Sequence, residues 1–121
     1  MGHRILIAED DPEIVLLMQK LLGTTYEVEV FADGLQALKR LEQDPLPDLM
    51  ILDVMMPHLD GVTLLKSLKS HPRTKRIPAI IVSAKGAPKD VIDGIAAGVR
   101  HYLVKPFKAD DLLQKVKKIL G

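Results

Sequence analysis

A few side chains in this chain of 121 residues are of types that do chemistry together, and they stand in comparable settings. Glu9-Asp10-Asp11 directly follows a short apolar run, Arg4–Ala8. Asp53 follows Leu49-Met50-Ile51-Leu52, Ser83 follows Ala79-Ile80-Ile81-Val82, and Lys105 follows Tyr102-Leu103-Val104. Carboxylates gathered at one spot repel one another, and unless one protonates they need a cation. The chain has no cysteine, so an ion held by these groups meets oxygen alone. Oxygen donors select a hard ion, magnesium or calcium. Magnesium takes one or two carboxylates, keeps waters and accepts phosphate oxygens. A serine hydroxyl and a lysine ammonium suit phosphoryl oxygens. A carboxylate, a hard metal, a hydroxyl and a lysine together describe phosphoryl transfer to an aspartate.

That chemistry requires elements that bring distant residues to one place. Short apolar runs at Arg4–Ala8, Tyr26–Phe31, Asp48–Leu52, Ile77–Val82 and Tyr102–Val104 predict five strands. Between them the apolar spacing is helical: Ile14, Leu17, Met18 and Leu21; Leu35, Leu38 and Leu41; Leu64, Leu65 and Leu68; Ile92, Ile95 and Ala96; and Leu112, Leu113, Val116, Ile119 and Leu120. Asp11-Pro12 is a cap followed by proline at the first helical position. Gly23 can close the first helix. Asp33-Gly34 opens the second, and Pro45 and Pro47 forbid its continuation. Asp60-Gly61 precedes the third, Pro88 stands where a fourth begins, and Ala109-Asp110-Asp111 starts the last.

Strands alternating with helices imply a parallel sheet covered on both faces, a three-layer α/β architecture. Helices on both faces, fed by right-handed crossovers, favour a sheet order such as 2-1-3-4-5, with the second strand, which alternates polar and apolar residues, at an edge. In that order the first and third strands are neighbours, so Glu9 and Asp10 lie beside Asp53 at the carboxyl edge, where ligands bind. Adjacent residues of a regular strand point to opposite faces, so Glu9 and Asp10 share a site only if the first strand has ended before them. Asp11 reads as a helix cap.

The composition narrows the remaining classes. With 47% hydrophobic and 27% charged residues the chain reads as one soluble globular domain, residues 1–121, and not as a disordered one. No run is long enough to span a bilayer, and Glu9-Asp10-Asp11 comes too early for a secretory signal, so a cytoplasmic protein is expected. With no tryptophan, two tyrosines and two phenylalanines there is no stacking platform for single-stranded nucleic acid. The net charge of +1 hides an asymmetry. Residues 1–60 carry 4 basic and 12 acidic side chains, residues 61–121 carry 13 and 4. An acidic end that holds a cation and a basic face that meets an acidic partner is one reading; solvated helix faces are the other. No helix carries a dense basic stripe with base-reading residues.

The motifs, taken together, resemble the receiver domains of response regulators in two-component signalling, over essentially the whole chain. The stretches that carry the likeness are Ile5-Leu6-Ile7-Ala8-Glu9-Asp10-Asp11-Pro12, Leu52-Asp53-Val54-Met55-Met56-Pro57-His58-Leu59-Asp60-Gly61, Val82-Ser83-Ala84 and Tyr102-Leu103-Val104-Lys105-Pro106-Phe107. The resemblance implies a flavodoxin-like fold of the chemotaxis-regulator kind, with five helices. It implies that Asp53 is the phosphoacceptor, attacking a phosphohistidine of a sensor histidine kinase or phosphotransfer protein. It implies that Mg²⁺ is held by Asp10 and Asp53, by Glu9 through water and by the Met55 carbonyl. Ser83 and Lys105 would hold phosphoryl oxygens, and the Lys105-Pro106 peptide would be cis. Ser83 and Tyr102 would form a switch that couples the site to the face of the fourth predicted helix, the fifth strand and the last helix, where a downstream effector domain or protein docks. The protein would catalyse only its own phosphorylation and slow dephosphorylation, with the bulky Met55 side chain shielding the acyl phosphate. A monomer or weak dimer is expected, with no direct contact to nucleic acid or membrane. Arg100-His101 and Val91 depart from the winged-helix branch of the family at positions its receiver dimer uses, and His58 receives no role.

Other readings have their own marks. An aspartate-nucleophile phosphatase of the haloacid dehalogenase kind wants a second acid two residues after Asp53, where Met55 stands. A flavin protein of this topology wants a Ser/Thr/Gly-rich phosphate loop after the first strand. A pseudo-receiver that docks partners without phosphorylation remains as the alternative.

Overall fold

The apolar runs form one parallel sheet, β1 (Arg4–Ala8), β2 (Glu27–Phe31), β3 (Leu49–Asp53), β4 (Ala79–Ala84) and β5 (His101–Lys105), in the order β2-β1-β3-β4-β5. In this computed structural model the described residues are 2–55, 58, 59, 61–84 and 101–121. Four helices are described: α1 (Pro12–Leu22), α2 (Gly34–Arg40), α3 (Gly61–Lys69) and α4 (Ala109–Leu120). The helix predicted from Pro88, with Lys85, Val91 and Arg100, lies outside the described residues.

Side-chain alternation divides the interior into two layers. Ile5, Ile7, Leu49, Ile51, Ile80 and Val82 face Met18 and Leu22 of α1 and Leu112 and Val116 of α4. Leu6, Ala8, Met50, Leu52 and Ile81 face Ala37 of α2 and Leu64, Leu65 and Leu68 of α3. Every residue of β3 is buried, which is why its sequence is a continuous apolar run and not an alternation. Each fully buried leucine or isoleucine stabilises the fold by about 1.5–3 kcal/mol over an exposed one.

Local chemistry sets the element ends. Asp11 Oδ1 accepts from Glu13 N at 3.0 Å and Asp33 Oδ1 from Leu35 N at 2.8 Å, capping α1 and α2. The second helix stops at Arg40, well before the prolines. The Arg40 guanidinium donates to Gln43 O (3.1 Å) and Pro45 O (2.8 Å), carbonyls that the ended helix leaves free. It also grips Glu29 of β2 with two bonds of 2.8 and 3.0 Å. This paired hydrogen bonding holds Glu29 below the usual carboxylate range and raises Arg40. Two helical stripes differ from the periodic reading: Leu17 and Leu35 are exposed, and Leu22 and Ala37 take the buried places. In Val15-Leu16-Leu17-Met18 two stripes satisfy the same spacing, and only packing against the sheet chooses between them.

Gly61 fixes the start of α3 against the end of β3. Its N–H donates to Val54 O at 3.0 Å, and a Cβ there would run into the Asp53 carbonyl oxygen. Backbone cannot yield as a flexible side chain does. Gly61→Ala is therefore expected to destabilise the fold by about 3 kcal/mol, at the upper end for forced overpacking, read as a lowered urea midpoint. An unchanged midpoint would contradict this packing.

Candidate functional site

Parallel pairing brings the carboxyl ends of the strands together. Ala8 pairs with Leu52, Asp53 with Val82, and Ala84 with Lys105. The first strand ends at Ala8, and the next residue, Glu9, is still held to the sheet edge by its N–H to Phe31 O at 2.9 Å. That ending lets Glu9 and Asp10 serve one site. Oxygens of Glu9, Asp10 and Asp53 all lie within 4.8 Å of one another. Glu9 is 1% exposed and Asp53 5%, whereas Asp10 faces solvent.

Two buried carboxylates this close oppose each other's charge. Burial, then the hydrogen bond and charge of Glu9, push the Asp53 pKa up to about 7; Lys105 and the Met55 N–H, 3.4 Å from Oδ1, offset part of this. Lys105 Nζ lies 2.8 Å from Glu9 Oε1 and 3.4 Å from Asp53 Oδ2. Burial works against its ammonium, but the two carboxylates outweigh that cost and hold its pKa above the usual lysine value. Glu9 Oε1 has this ion pair and no aligned hydrogen bond, so a buried acceptor stays under-satisfied. Oxygen-only donors, a strained charge balance and one exposed carboxylate open to water fit a hard divalent cation.

The other predicted residues are placed as follows. Ser83 is buried at the end of β4, one residue beyond the partner of Asp53. By alternation it lies with Ala79 and Ile81 on the α2/α3 side of the sheet, and no hydrogen bond joins it to Asp53. Tyr102 pairs with Ile81 and Val104 with Ser83, so Tyr102 shares that face; it is 47% exposed. Met55 is 65% exposed beside Asp53. The Lys105-Pro106 peptide is cis, and Asp44-Pro45 is cis as well.

One contact has no counterpart in the sequence reading. His58 Nδ1 meets Asp33 Oδ2, tying the loop after β3 to the loop after β2. His58 has a positive φ of 67°, and Gly34 sits against the Leu59 carbonyl with no room for a Cβ. Burial alone would raise Asp33, but the Leu35 N–H and His58 hold it below the usual range. Only the pairing of an Asp-Gly turn with a distant histidine signalled this, and no periodic pattern links residues 25 apart.

Comparisons with known proteins agree with this geometry. The family model described as the response regulator receiver domain matches residues 5–117. The chemotaxis protein CheY of Bacillus subtilis is 38% identical over 123 residues, covering all of both chains. The phosphate regulon transcriptional regulatory protein PhoB of Rhizobium meliloti is 38% identical over 99% of this chain. The chain spans 53% of that relative, about half its length. The receiver domain of sensor histidine kinase PA1611 from Pseudomonas aeruginosa, solved with a magnesium ion coordinated in its active site cleft, superposes with a TM-score of 0.88. It is 30% identical and covers 100% of this chain and 99% of that one.

The raised Asp53 pKa has a consequence for stability. Its carboxyl binds a proton more tightly when folded, near 7, than at its ordinary 3.8. The metal-free protein therefore loses stability as pH rises between those values, and the full penalty persists above them. Asp53→Asn removes it. In chelator, the variant is expected to melt several degrees above the parent at about pH 8, with the gap closing by about pH 4, since each unit is worth ~1.4 kcal/mol. A gap independent of pH would contradict the geometry.

Proposed function

We propose, on the premise that this chain belongs to the response regulator receiver domain family of two-component signalling, that it is one receiver domain over residues 1–121 and that Asp53 is its phosphoacceptor. The observation that carries this reading is the pocket of charge at the sheet edge, with Asp53 buried between Glu9 and Lys105 and beside Asp10. Asp53 acts as a carboxylate: one Oδ forms a bond to phosphorus, and the bond from phosphorus to the donor, a histidine nitrogen of a kinase or phosphotransfer protein, breaks. Glu9, Asp10, Asp53 and the Met55 carbonyl are the groups that would hold Mg²⁺. When bound, the ion supplies countercharge that keeps the carboxylates ionised and shares the phosphoryl oxygens.

Lys105 follows the negative charge outward, from the carboxylates to the phosphoryl group that Asp53 gains. Ser83 lies one residue further toward the carboxyl edge, on the neighbouring strand, and the new acceptor oxygens draw its hydroxyl toward them. Space vacated on that face is adjacent to Tyr102, whose ring can turn inward and alter the surface offered to an effector. This is signalling chemistry and not turnover of an external substrate. Among the described residues no helix is long and apolar enough to cross a membrane; the cytoplasm is the proposed compartment.

Incubation with acetyl phosphate tests the assignment. Intact mass should show a single phosphoryl increment that requires Mg²⁺ and is absent in Asp53→Asn. No increment under any condition would favour the pseudo-receiver, which docks partners constitutively. The exposed Met55 side chain beside the acceptor shields the acyl phosphate from water. Met55→Asn, which can orient a water, is expected to shorten the lifetime of the phosphorylated form about tenfold, less than the ~10²–10⁴-fold of a positioned acid or base because an amide orients water without taking its proton. An unchanged decay rate would remove Met55 from this role.

A further inference from the structure

The opposite edge of the molecule carries a second feature, independent of Asp53. Between Asp60 and Asp90 the sequence has no acidic residue and seven lysines and arginines. Five of them, Lys66, Lys69, Arg73, Lys75 and Arg76, fall on the last turns of α3 and the connection to β4, and all five are exposed. This connection lies at the amino edge of the sheet, a full strand length from Asp53. Arg73 is paired with Asp44 at 2.6 Å, and Lys69 Nζ bonds the Lys75 carbonyl at 3.1 Å. Lys66, Lys75 and Arg76 have no acidic partner among the described residues.

Beside this strip is a cleft of about 200 Å³ between α2 and α3. Leu38, Leu41 and Leu68 form its apolar floor, and Ser67, His71 and Thr74 its α3 wall. The wall is preformed. Thr74 Oγ1 donates to Leu68 O at 2.7 Å and Ser70 Oγ to Ser67 O at 2.7 Å, while Thr74 N and Lys75 N both bond His71 O. Glu42 stands on one rim, just past α2, and Arg73, already paired with Asp44, on the other, so the unpaired positive charge lies outside the cleft, on Lys75 and Arg76 in the connection that follows.

The volume decides what fits. Sites for drug-sized molecules and cofactors run to about 300–1,000 Å³, and a lipid acyl chain needs similar room. A cavity of ~150 Å³ takes one benzene, so this cleft takes a single leucine or aromatic side chain. One apolar anchor in a rigid pocket, ringed by charge, is the form of a protein–protein hot spot. We propose that this cleft and the strip Lys66–Arg76 form a docking surface for an acidic segment of a partner protein. A leucine or aromatic residue enters between α2 and α3, and the acidic neighbours lie toward Lys75 and Arg76, away from Glu42. Opposite charge on the strip speeds encounter and sets the orientation.

The test selects dodecapeptides from a random phage-displayed library on the unphosphorylated chain. Recovered sequences should place Asp or Glu next to one leucine or aromatic residue. A synthetic copy of such a peptide, followed by fluorescence anisotropy, should bind about tenfold more weakly to the double variant Lys75→Glu, Arg76→Glu, whose side chains are exposed and leave the fold intact. Binding should also weaken on Ser67→Phe, which fills the cleft, and should be unchanged on Asp53→Asn. Should Ser67→Phe fail to fold, protection of the Leu38 and Leu41 methyl resonances by the peptide replaces it. The proposal is overturned if no acidic-apolar pattern is enriched, or if the charge variants bind equally. It is also overturned if vesicles of phosphatidylglycerol or a single-stranded RNA dodecamer bind the strip while no peptide does.

Discussion

Repulsion between the carboxylates of Glu9 and Asp53 is the constraint around which the carboxyl edge of the sheet is arranged. Neither group would be tolerated so deep in the fold alone, since an ion taken from water without a partner costs far more than any one contact returns. The pair persists because the sheet order sets β1 beside β3, because β1 ends one residue before Glu9, and because Lys105 reaches in from β5. Three strands that are far apart in sequence thus share one electrostatic problem. The family's fold and the chemistry proposed for it are two aspects of that arrangement: the negative charge that strains this edge of the sheet is what the proposed cation would offset, and with it the added charge of a phosphoryl group.

Much of this is legible in the sequence. The alternation of apolar runs and helical stripes specifies the layers, because burial on both faces leaves a strong imprint on β3 and β4, while the order of the strands comes from the topology of open parallel sheets and not from the pattern itself. Glu9, Asp10, Asp53 and Lys105 could be brought to one edge because residues at strand ends need only the topology to be located. What the sequence concealed has a different physical origin. Leu17 and Leu35 fit a helical stripe as well as their neighbours do, and their exposure depends on which way the whole helix rolls on the sheet. The Asp33–His58 and Arg40–Glu29 contacts join polar residues through space, and polar residues in loops carry no periodicity. Ser83 lies at the edge where its place after an apolar run puts it, but its side of the sheet follows from strand parity once the ends of β4 are known.

Charge is also segregated by edge and not simply by half of the chain. The acidic first half supplies the carboxyl-edge cluster, while the basic second half divides. Lys105 goes to that cluster, and the α3–β4 connection takes its charge to the far edge. The two ends of the sheet therefore present unlike electrostatic environments separated by a buried apolar slab. A phosphoryl group arriving at one end and an acidic segment at the other would meet different fields, with little direct Coulomb interaction across solvent beyond a Debye length of about 8–10 Å.

The Arg40 clamp on Glu29 bears on how copies of this chain treat one another. β2 is an outer strand, and an outer strand offers unpaired backbone groups to any extended chain that comes near. Glu29 and Glu27 are both engaged by arginines, Arg40 and Arg4. A second strand laid along this margin would bring its side chains against those charged pairs, and charge along an edge strand disfavours such pairing. The outer strand thus carries arginine-paired glutamates along a part-exposed margin, one of the devices by which edge strands disfavour cross-β pairing.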